Sequence, residues 1–423
     1  MNVAAIVDPL STGAFLADEF ASRGWRVIAV MSTQTIPDAF VSSFRPSDFD
    51  EIVIHEGDLD KTLAVLSSHT IVAVVAGTEL GVELADALSE ALGCPGNGTA
   101  LSSARRDKFE MVERVRAAGL LTAKSIVTDD VEKLVSWASD NGLSSIVVKP
   151  VASAGCDSVS FCHDSQSIRD AFAIIQGNVN SLGMYNSTVL GQELLIGEQY
   201  FVNSISRNGR HYISEIWHDR RQALDDRKIF DYDDLLPADG DVQHALVSYV
   251  KDVLDALGIG HGPAHTELML TEAGPVLIET AARMQGAIIP SAHIAATGHS
   301  QVSLTVDSIV DPSGFDEMLE RPYAVEKHLR VVWMLAPFDG EIAEGPALAE
   351  LLSLPTVVGS GRELRPGTPV RRTLDLFTTA GYLYLAATAI ADIERDLLRI
   401  RQLESDGLYR ERELKIVNSA NSQ

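Results

Sequence analysis

The 423-residue sequence lacks most features of secreted and membrane proteins. It has three cysteines, Cys94, Cys156 and Cys162, with no CxxC pair, so we expect reduced thiols rather than disulfides. A nucleophilic role for Cys156 is not favoured. No uncharged apolar run of about 18 residues is present, which argues against a membrane span. The N-terminus also lacks the basic segment of a signal peptide, and we therefore expect a cytoplasmic protein.

Positive charge is also scarce. The chain carries 34 lysines and arginines against 59 aspartates and glutamates, a net charge of −25. Phosphate backbones and anionic lipids bind basic surfaces, so neither nucleic acid nor a membrane is an expected partner. The motifs GxGxxG and GxxxxGK[ST] are absent, which argues against a dinucleotide fingerprint and a Walker A loop. The length is enough for two to four domains.

The first hundred residues alternate short apolar runs with helical patterns. Strands are predicted at 3–7, 27–31, 52–54 and 71–76, and helices at 13–23 and 59–67. This alternation predicts a Rossmann-like parallel sheet covered on both faces, ending at the turn cluster Cys94–Gly98. Glu79 and Glu83 follow the fourth strand, at the edge where ligands bind in such sheets. A solvated helix start is the favoured interpretation for both, with a substrate contact as the alternative.

The middle of the chain contains a helix and a loop of small residues. Residues 99–119 are predicted to form one helix, and the strand 146–149 ends at Lys149, just before the loop 151–157. The backbone N–H groups of such a loop can cover phosphates, although many hairpin loops hold the same residues. The segment 189–206 is typical of a hinge that pairs its backbone with adenine, and equally of an ordinary strand–turn–strand.

The most informative segment is Gly262–Gly286, GPAHTELMLTEAGPVLIETAARMQG. Two apolar runs around a Gly-Pro turn predict a β-hairpin that sets Glu267 and Glu279 side by side, with Arg283 at the strand end. Buried carboxylates need partners, and hard oxygen ligands select a magnesium ion that also carries phosphates. The alternative is a surface hairpin with scattered charges.

In their order and spacing these segments resemble the ATP-grasp superfamily over roughly residues 1–320. The resemblance rests on RRDKFEM, VVKP, the SAG loop, QELLIGEQYFV and the paired glutamates with their arginine. It implies that two lysines contact the phosphates of ATP, that the SAG loop closes over them and that the hinge holds adenine. The residues implied to bind ATP are Lys108, Lys149, Ser153, Ala154, Gly155, Gln192, Glu193, Leu194, Leu195 and Gln199.

The resemblance also implies a metal site. Glu267 and Glu279 would ligate two magnesium ions, with manganese as an alternative, and Arg283 would steady the transferred phosphoryl group. Two positions depart from the family pattern. Gln199 stands where a ribose-binding Glu is usual, which would weaken nucleotide binding rather than abolish it. Ala281 stands where Asn is frequent in the family. Some branches lack this Asn, so the difference restricts which branch the chain resembles.

Narrower motifs look like those of the bacterial L-amino-acid ligases, which make dipeptides, some for antibiotics and toxins. These motifs are GPAHTE, KPVASAGCDSV and the stretch 216–237. In that branch His265 and the residues after the arginine line the amino-acid pocket. The implied pocket residues here are His265, Met284, Gln285 and Gly286.

The expected chemistry suits these residues. Transfer of the γ-phosphoryl group of ATP to a carboxylate gives an acyl phosphate, which an amine then attacks. We expect Lys149 and Arg283 to spread the developing charge. His265 or a nearby carboxylate would take the proton of the amine, and a core histidine hydrogen-bonded to backbone is an equal alternative. ATP and two amino acids are thus the expected partners. The competing hypotheses are a ligase for another acid or amine, and a catalytically silent nucleotide-binding protein.

The predicted fold is α/β and α+β: an ATP-grasp fold with an N-terminal Rossmann-like domain and a C-terminal α+β cap. In the last hundred residues we expect strands at 328–335 and 382–390 and helices at 348–354 and 391–403. The domain boundaries are predicted at 1–98 (Rossmann-like), 99–188 (small lobe with the phosphate loop), 189–320 (large lobe with the metal site) and 321–423 (cap). A homodimer is expected from the family.

Overall fold

A computed structural model describes residues 1–153, 157–224, 227–361, 364–374, 376 and 378–411. The chain divides into two compact units, Met1–Arg220 with Asp233–Lys327, and Arg221–Tyr232 with His328–Gln423. The four domain boundaries drawn from the sequence stay a prediction. No helix in the described ranges combines the length and apolar character that a membrane crossing requires.

The N-terminal region of the first unit forms the expected parallel sheet. Its strands are β1 (Val3–Val7), β2 (Arg26–Met31), β3 (Glu51–Ile54) and β4 (Ile71–Ala76), in the order β3-β2-β1-β4. Its helices are α1 (Phe15–Ser22), α2 (Asp38–Val41), α3 (Leu59–Leu66) and α4 (Val82–Leu92). Every residue of β1 is buried, as expected for a central strand covered on both faces.

A second sheet of the first unit is antiparallel. Its strands are β5 (Ser125–Thr128), β6 (Ile146–Pro150), β7 (Ser160–Cys162) and β8 (Val189–Glu193), in the order β5-β8-β6-β7. The helices of this region are α5 (Lys108–Ala117), α6 (Val131–Asp140) and α7 (Ser165–Ile175). The loop predicted to cover phosphates joins β6 to β7.

The single helix predicted over 99–119 is wrong in its first half. The helix begins only at Lys108, because Asp107 has an extended backbone and its side chain caps the helix. The Asp107 carboxylate accepts hydrogen bonds from Phe109 N at 2.8 Å and Glu110 N at 2.9 Å. Such a cap satisfies N–H groups that have no partner inside the helix, and so it fixes where the helix starts.

The next part of the chain contains long antiparallel strands. The next elements along the chain are β9 (Glu198–Arg207), β10 (Arg210–Leu224), β11 (Arg227–Leu235), α8 (Asp241–Ala256), β12 (Gly262–Thr271), β13 (Gly274–Ala281), α9 (Pro290–Thr297), α10 (Gln301–Val310) and α11 (Pro312–Met318). Within the first unit the strands lie in the order β13-β12-β9-β10. The predicted hairpin is confirmed as β12 and β13, and Glu267 lies directly opposite Glu279.

The second unit is α+β, with its elements close to their predicted positions. They are β14 (His328–Met334), β15 (Gly340–Ile342), α12 (Pro346–Ser353), β16 (Val357–Gly361), β17 (Pro369–Val370), β18 (Gly381–Ala387), α13 (Ile390–Ser405) and β19 (Tyr409–Glu411). The strands of this unit lie in the orders β11-β14-β18-β16 and β17-β15-β19. Leu351, Ile393 and Ile400 are fully buried and join α12 and α13 to its core.

A close backbone approach at the edge of the N-terminal sheet generates a stability prediction. A Cβ atom on Gly77 would lie 2.4 Å from the Asp8 carbonyl oxygen and 2.8 Å from the Pro9 Cα atom. Backbone atoms cannot move aside as the end of a side chain can, so Gly77→Ala overpacks the site. We expect its free energy of unfolding in urea to fall by about 1–3 kcal/mol.

The matched control is Gly260→Ala. A Cβ atom there would meet its nearest neighbour, Gly209 N, at 3.5 Å, an ordinary contact. This variant should lie within about 0.5 kcal/mol of the parent, or slightly above it because alanine restricts the unfolded chain. Equal losses of stability in both variants would contradict the overpacking argument.

Candidate functional site

Two carboxylates of the β12–β13 hairpin lie at the centre of the site. Glu279 Oε2 is 2.9 Å from Lys108 Nζ. On the facing strand, Glu267 Oε2 accepts a hydrogen bond from Gln199 Nε2 at 3.3 Å, and its Oε1 lies 3.5 Å from His265 Nε2. Five residues predicted from the sequence, Lys108 among them, therefore come together around this hairpin and the adjacent strand β9.

Lys108 also connects the hairpin to the small-residue loop. Its Nζ donates to the Ser153 carbonyl oxygen at 2.6 Å, in addition to the ion pair with Glu279. Ser153 is buried. The predicted loop residues Ala154 and Gly155, together with Cys156, lie outside the described part of the chain.

The sequence interpretation missed Asp157, which holds this loop. Its Oδ2 accepts hydrogen bonds from Ser153 Oγ, Ser181 N and Ser181 Oγ, each at 2.8 Å. Burial would raise the pKa of Asp157, but the hydrogen bonds from Ser181 and Ser153 outweigh it and lower that pKa. The carboxylate thus links Ser153, at the start of the loop, to Ser181 in the segment that follows α7.

Most of the other predicted nucleotide-binding residues lie on β6, on β8 and just after β8. Lys149 and Gln192 are both buried. Gln192 Nε2 has no hydrogen-bond partner among the residues that the structure describes. An unpartnered buried amide donor is costly, and it suits a ligand that brings an acceptor, such as the ring nitrogen of a nucleobase.

The other predicted hinge residues, Glu193, Leu194 and Leu195, are less buried than Gln192. The Glu193 carboxylate accepts a hydrogen bond from Lys124 N at 3.1 Å, so it already binds backbone. Leu194 and Leu195 follow the end of β8 and are half-buried, and Ile196 after them is 76% exposed. A partly exposed segment at this point fits the predicted contact with adenine.

The environment of Glu79 contradicts the prediction that this residue belongs to a solvated helix start. Its carboxylate binds Arg106 Nη1 and accepts from Arg283 Nε at 2.9 Å, and its side chain is only 13% exposed. Burial alone would raise the pKa of Glu79, but the charges of Arg106, Arg283 and Lys108 lower it from 4.5 to about 2. Glu83, one turn further on, is exposed as expected.

The three residues after Arg283 have different environments. Arg283 Nη1 donates to the Met284 carbonyl oxygen at 2.9 Å. The Met284 side chain is 1% exposed and belongs to the apolar core of the N-terminal sheet, with Ile6 and Phe20. Gln285 is also buried, whereas Gly286 is exposed. Of the predicted pocket residues after Arg283, Gly286 is therefore the one open to solvent.

His265 is buried but is not a histidine bound to backbone. Its Nδ1 lies 2.9 Å from Asn203 Oδ1, and its ring lies 5.2 Å from the Phe201 ring. Its Nε2 faces Glu267. Ala281, the position that departs from the family pattern, lies directly opposite His265 on β13.

The hairpin fits a hard divalent cation only in part. Across the described ranges, no three His, Cys, Asp or Glu side chains converge as a ready-made metal cage. Two facing carboxylates nevertheless match magnesium, which takes one or two protein carboxylates and completes its shell with phosphate oxygens and water. Glu267 and Glu279 would therefore hold the ion together with a bound polyphosphate.

Several residues of this site carried no recognisable motif. Arg106 lies inside the RRDKFEM segment but was assigned no role, and Asn203 is one polar residue in a long strand. Glu215 offered a usable signal, since it interrupts the apolar run YISEIW and is fully buried in the structure.

Comparisons with known sequences match most of this chain. A family profile described as an ATP-grasp domain matches residues 143–291. Dapdiamide A synthase of Enterobacter agglomerans is 30% identical over 410 residues, which cover 96% of this chain and 96% of that protein.

Solved structures give the same fold. The L-amino acid ligase from Bacillus licheniformis has 18% identity and a TM-score of 0.75, with 97% of this chain and 99% of that chain covered. The N5-carboxyaminoimidazole synthetase from Staphylococcus aureus, solved with ADP, has 12% identity and a TM-score of 0.66, with 95% and 98% covered. Together with the family profile, these likenesses show an ATP-grasp fold for this chain, whose N-terminal sheet is parallel.

The position of Glu79 between two arginines predicts acid-sensitive stability. Because the pKa of Glu79 is lowered on folding, its contribution is complete above pH 4.5 and is lost as the pH falls towards 2. At neutral pH we expect Glu79→Gln to lose about 3 kcal/mol, since two buried cations lose their counter-charge. The loss should shrink in urea titrations as the pH is lowered below 4.5.

Glu83→Gln is the matched control, because Glu83 is exposed in the first turn of α4. Its free energy of unfolding should stay within about 0.5 kcal/mol of the parent at every pH. A difference between Glu79→Gln and the parent that does not change with pH would contradict the assignment of Glu79 as the titrating group.

Proposed function

This chain belongs to the ATP-grasp superfamily, in the branch of the L-amino-acid ligases, and from that premise we propose that it joins two L-amino acids into a dipeptide. The coarser activity of its family is ATP-dependent ligation of a carboxylate to an amine. The observation that carries the proposal is the double contact of Lys108, which binds both Glu279 and the Ser153 backbone. One cation thereby joins the candidate metal ligands to the candidate phosphate loop.

The two facing carboxylates would hold the metal. Glu267 and Glu279 suit magnesium, with two ions expected and manganese as an alternative. When bound, the metal would neutralise phosphate charge and orient the phosphates for in-line transfer. The same carboxylates contact Lys108, His265 and Gln199.

Nucleotide binding would use the neighbouring strands. The buried Nε2 of Gln192 supplies a donor for the adenine ring, and Leu194 and Leu195 supply an apolar wall beside it. Gln199, which stands where the family usually has a ribose-binding Glu, contacts Glu267. This position is therefore linked to the candidate metal site as well as to the expected ribose site.

Phosphoryl transfer requires little covalent help from the protein. A carboxylate oxygen of the first amino acid bonds to the γ-phosphorus of ATP, the bond to the β,γ-bridging oxygen breaks, and ADP leaves. Lys108, Lys149 and Arg283 would spread the negative charge of this step. Glu79 accepts a hydrogen bond from Arg283 Nε and would orient the guanidinium group of Arg283.

The second step forms the amide. The amine of the second amino acid attacks the acyl carbon, the bond to the phosphoryl oxygen breaks, and phosphate leaves with that oxygen. The attacking nitrogen must lose a proton, and His265 or a nearby carboxylate such as Glu267 would accept it. The loop at 151–157 would exclude water, because an acyl phosphate hydrolyses readily.

Two alternatives remain. The fold shared with N5-carboxyaminoimidazole synthetase is compatible with a ligase for a different acid or amine. A silent nucleotide-binding protein is the other alternative. It is disfavoured because Lys108, Glu279 and Arg283 keep a charge arrangement that is costly to bury without a ligand role. The homodimer stays a prediction.

The metal assignment predicts that Glu279→Ala abolishes turnover while leaving the protein folded. Loss of one of two carboxylate ligands should lower phosphate release from Mg-ATP and amino acids by at least about 10²-fold. The assay is continuous phosphate release, with thermal unfolding to verify the fold. Glu272→Ala, an exposed carboxylate in the turn of the same hairpin, should keep the parent rate. Parent-level turnover in Glu279→Ala would refute the assignment.

A substrate screen tests the reaction itself. With Mg-ATP we expect phosphate release that depends on amino acids, and mass spectrometry should detect a product equal to the two amino acids minus water. Release with one amino acid and a non-amino-acid partner would favour the other ligase. Tight ATP binding without release in any mixture would favour the silent binder.

A further inference from the structure

Two arginines share a single carboxylate at the edge of the N-terminal sheet. Glu79 binds Arg106 Nη1 with one oxygen, and its other oxygen accepts from Arg283 Nε at 2.9 Å. The Arg106 side chain is only 8% exposed. Guanidinium groups stay protonated in proteins, so one carboxylate balances only one of the two. An excess of positive charge is therefore held in a largely buried place, where it is costly unless a ligand brings a counter-charge.

Arg106 also has more hydrogen-bond donors than partners. Its Nη1 serves Glu79, and its Nη2 lies 3.6 Å from Met184 Sδ, a weak acceptor. Its guanidinium group has no third hydrogen-bond partner within the part of the chain that the structure describes. Nε and Nη2 form one edge of the guanidinium plane, and two parallel donors of this kind match the two oxygens of a carboxylate. Arg106 is therefore equipped to bind a carboxylate ligand.

The sheet topology places this cluster where ligands bind in parallel sheets. Strand β1 pairs with β2 on one side and with β4 on the other, so the strand order reverses between β1 and β4. In open α/β sheets, ligands bind in the crevice outside the carboxyl ends of the strands at such a reversal. Glu79 follows β4 at that edge and holds the Arg106 guanidinium group there.

The loop after β1 lies at the same edge and meets the segment after Arg283. A Cβ atom on Gly286 would lie 3.9 Å from Ser11 Oγ. Ser11 and Ala287 both have positive φ angles, 52° and 63°. Residues other than glycine adopt such angles rarely, and they concentrate at ligand-binding sites. The strained backbone around this contact supports a substrate site at the edge of the sheet.

The chemistry of ligation identifies the anion that Arg106 would bind. The carboxylate of the first amino acid reacts, since it becomes an acyl phosphate and then the carbonyl group of the amide. The carboxylate of the second amino acid keeps its charge throughout, so a fixed cation can hold it during the whole reaction. Arg283, which would contact the transferred phosphoryl group, binds the other oxygen of Glu79. A carboxylate on Arg106 therefore brings its own amine beside the reacting group.

We propose that Arg106 binds the carboxylate of the second amino acid and thereby selects amino acids over amines that lack a carboxylate. The inference rests on the proposed ligase function and identifies the residue that makes the product a dipeptide rather than another amide. Glu79 is then a positioning residue for both guanidinium groups.

The test variant is Arg106→Gln. It removes the charge and the forked donors, while Glu79 keeps its ion pair with Arg283 and is not left as an unpaired buried carboxylate. We therefore expect a folded protein, which thermal unfolding verifies. The amine donors are L-alanine, L-leucine, L-phenylalanine and the second amino acid that the substrate screen identifies. Each is compared with its primary amide, which has the same side chain and amine but no carboxylate.

The ratio of kcat/KM for the acid to kcat/KM for the amide measures recognition of the carboxylate. In Arg106→Gln this ratio should fall by about 10²-fold from the parent value, mainly through a higher KM for the acid, because a charged pair is lost. Comparing the two proteins cancels the intrinsic difference in reactivity between acid and amide. Equal losses of kcat/KM for both donors would overturn the proposal, since they would indicate a structural role.

Hydroxylamine isolates the first chemical step. It converts the acyl phosphate into a hydroxamate and has no carboxylate, so this assay does not need the proposed contact. In Arg106→Gln the hydroxamate rate and the KM values for ATP and the first amino acid should stay within about threefold of the parent. A raised KM for ATP would assign Arg106 to the phosphates, and a raised KM for the first amino acid would assign it to the other carboxylate. Either result would overturn the proposal.

The matched control is Arg116→Gln. Arg116 lies on α5, is exposed and binds Glu113, a carboxylate away from the site. This variant loses an arginine–glutamate pair of the same kind and should keep the parent ratio of acid to amide. If Arg106→Gln does not fold, Arg106→Lys replaces it. A lysine keeps the charge but loses the fork, so the ratio should fall by about tenfold, and an unchanged ratio would contradict the proposal.

The inference and the proposed function fail in different ways. If the parent forms neither dipeptide nor hydroxamate with any amino acid, the ligase function is refuted. If the parent forms hydroxamate but joins amides as readily as amino acids, ligation stands and the role of Arg106 is refuted.

Discussion

The ion pair between Lys108 and Glu279 is the interaction on which the rest of the site depends. It joins the first residue of α5 to the middle of β13, and the same ammonium group binds the Ser153 backbone at the start of the small-residue loop. Charges removed from water must be paired, so the helix start, the hairpin and the loop are tied to one position. The Asp107 cap makes this geometry available, because it fixes the start of the helix at Lys108.

The second group of charges follows the same constraint. Glu79 lies between Arg106 and Arg283, so one carboxylate from the edge of the parallel sheet orients two cations from other segments. This arrangement brings the N-terminal sheet to the residues implied in phosphoryl transfer. Met284 strengthens the link, because its side chain lies in the core of that same sheet. The site is therefore assembled from segments about 200 residues apart, with apolar packing and ion pairing acting together.

The parts of the fold that depend on residues close together in the sequence could be predicted from local patterns. The apolar alternation predicted the parallel sheet, and the Gly-Pro turn predicted the hairpin with Glu267 opposite Glu279. Long-range pairing was not predictable in this way. Glu79 looked like an exposed helix residue because its partners Arg106 and Arg283 are distant in sequence. The helix over 99–119 was overextended because the cap at Asp107 competes with helix propensity in a way that periodicity does not reveal.

The period of a strand explains how one hairpin supplies both a metal ligand and a histidine. His265 and Glu267 are two residues apart on β12 and so share a face, whereas Thr266 between them points to the other face and bonds Thr280 Oγ1 at 2.7 Å. A slip of one residue would send both functional side chains to the wrong face. The Thr266–Thr280 pair and the hydrogen bond between Asn203 and His265 hold this register from opposite faces. The contact with Asn203 therefore contributes to the placement of Glu267 as well as to the orientation of the imidazole.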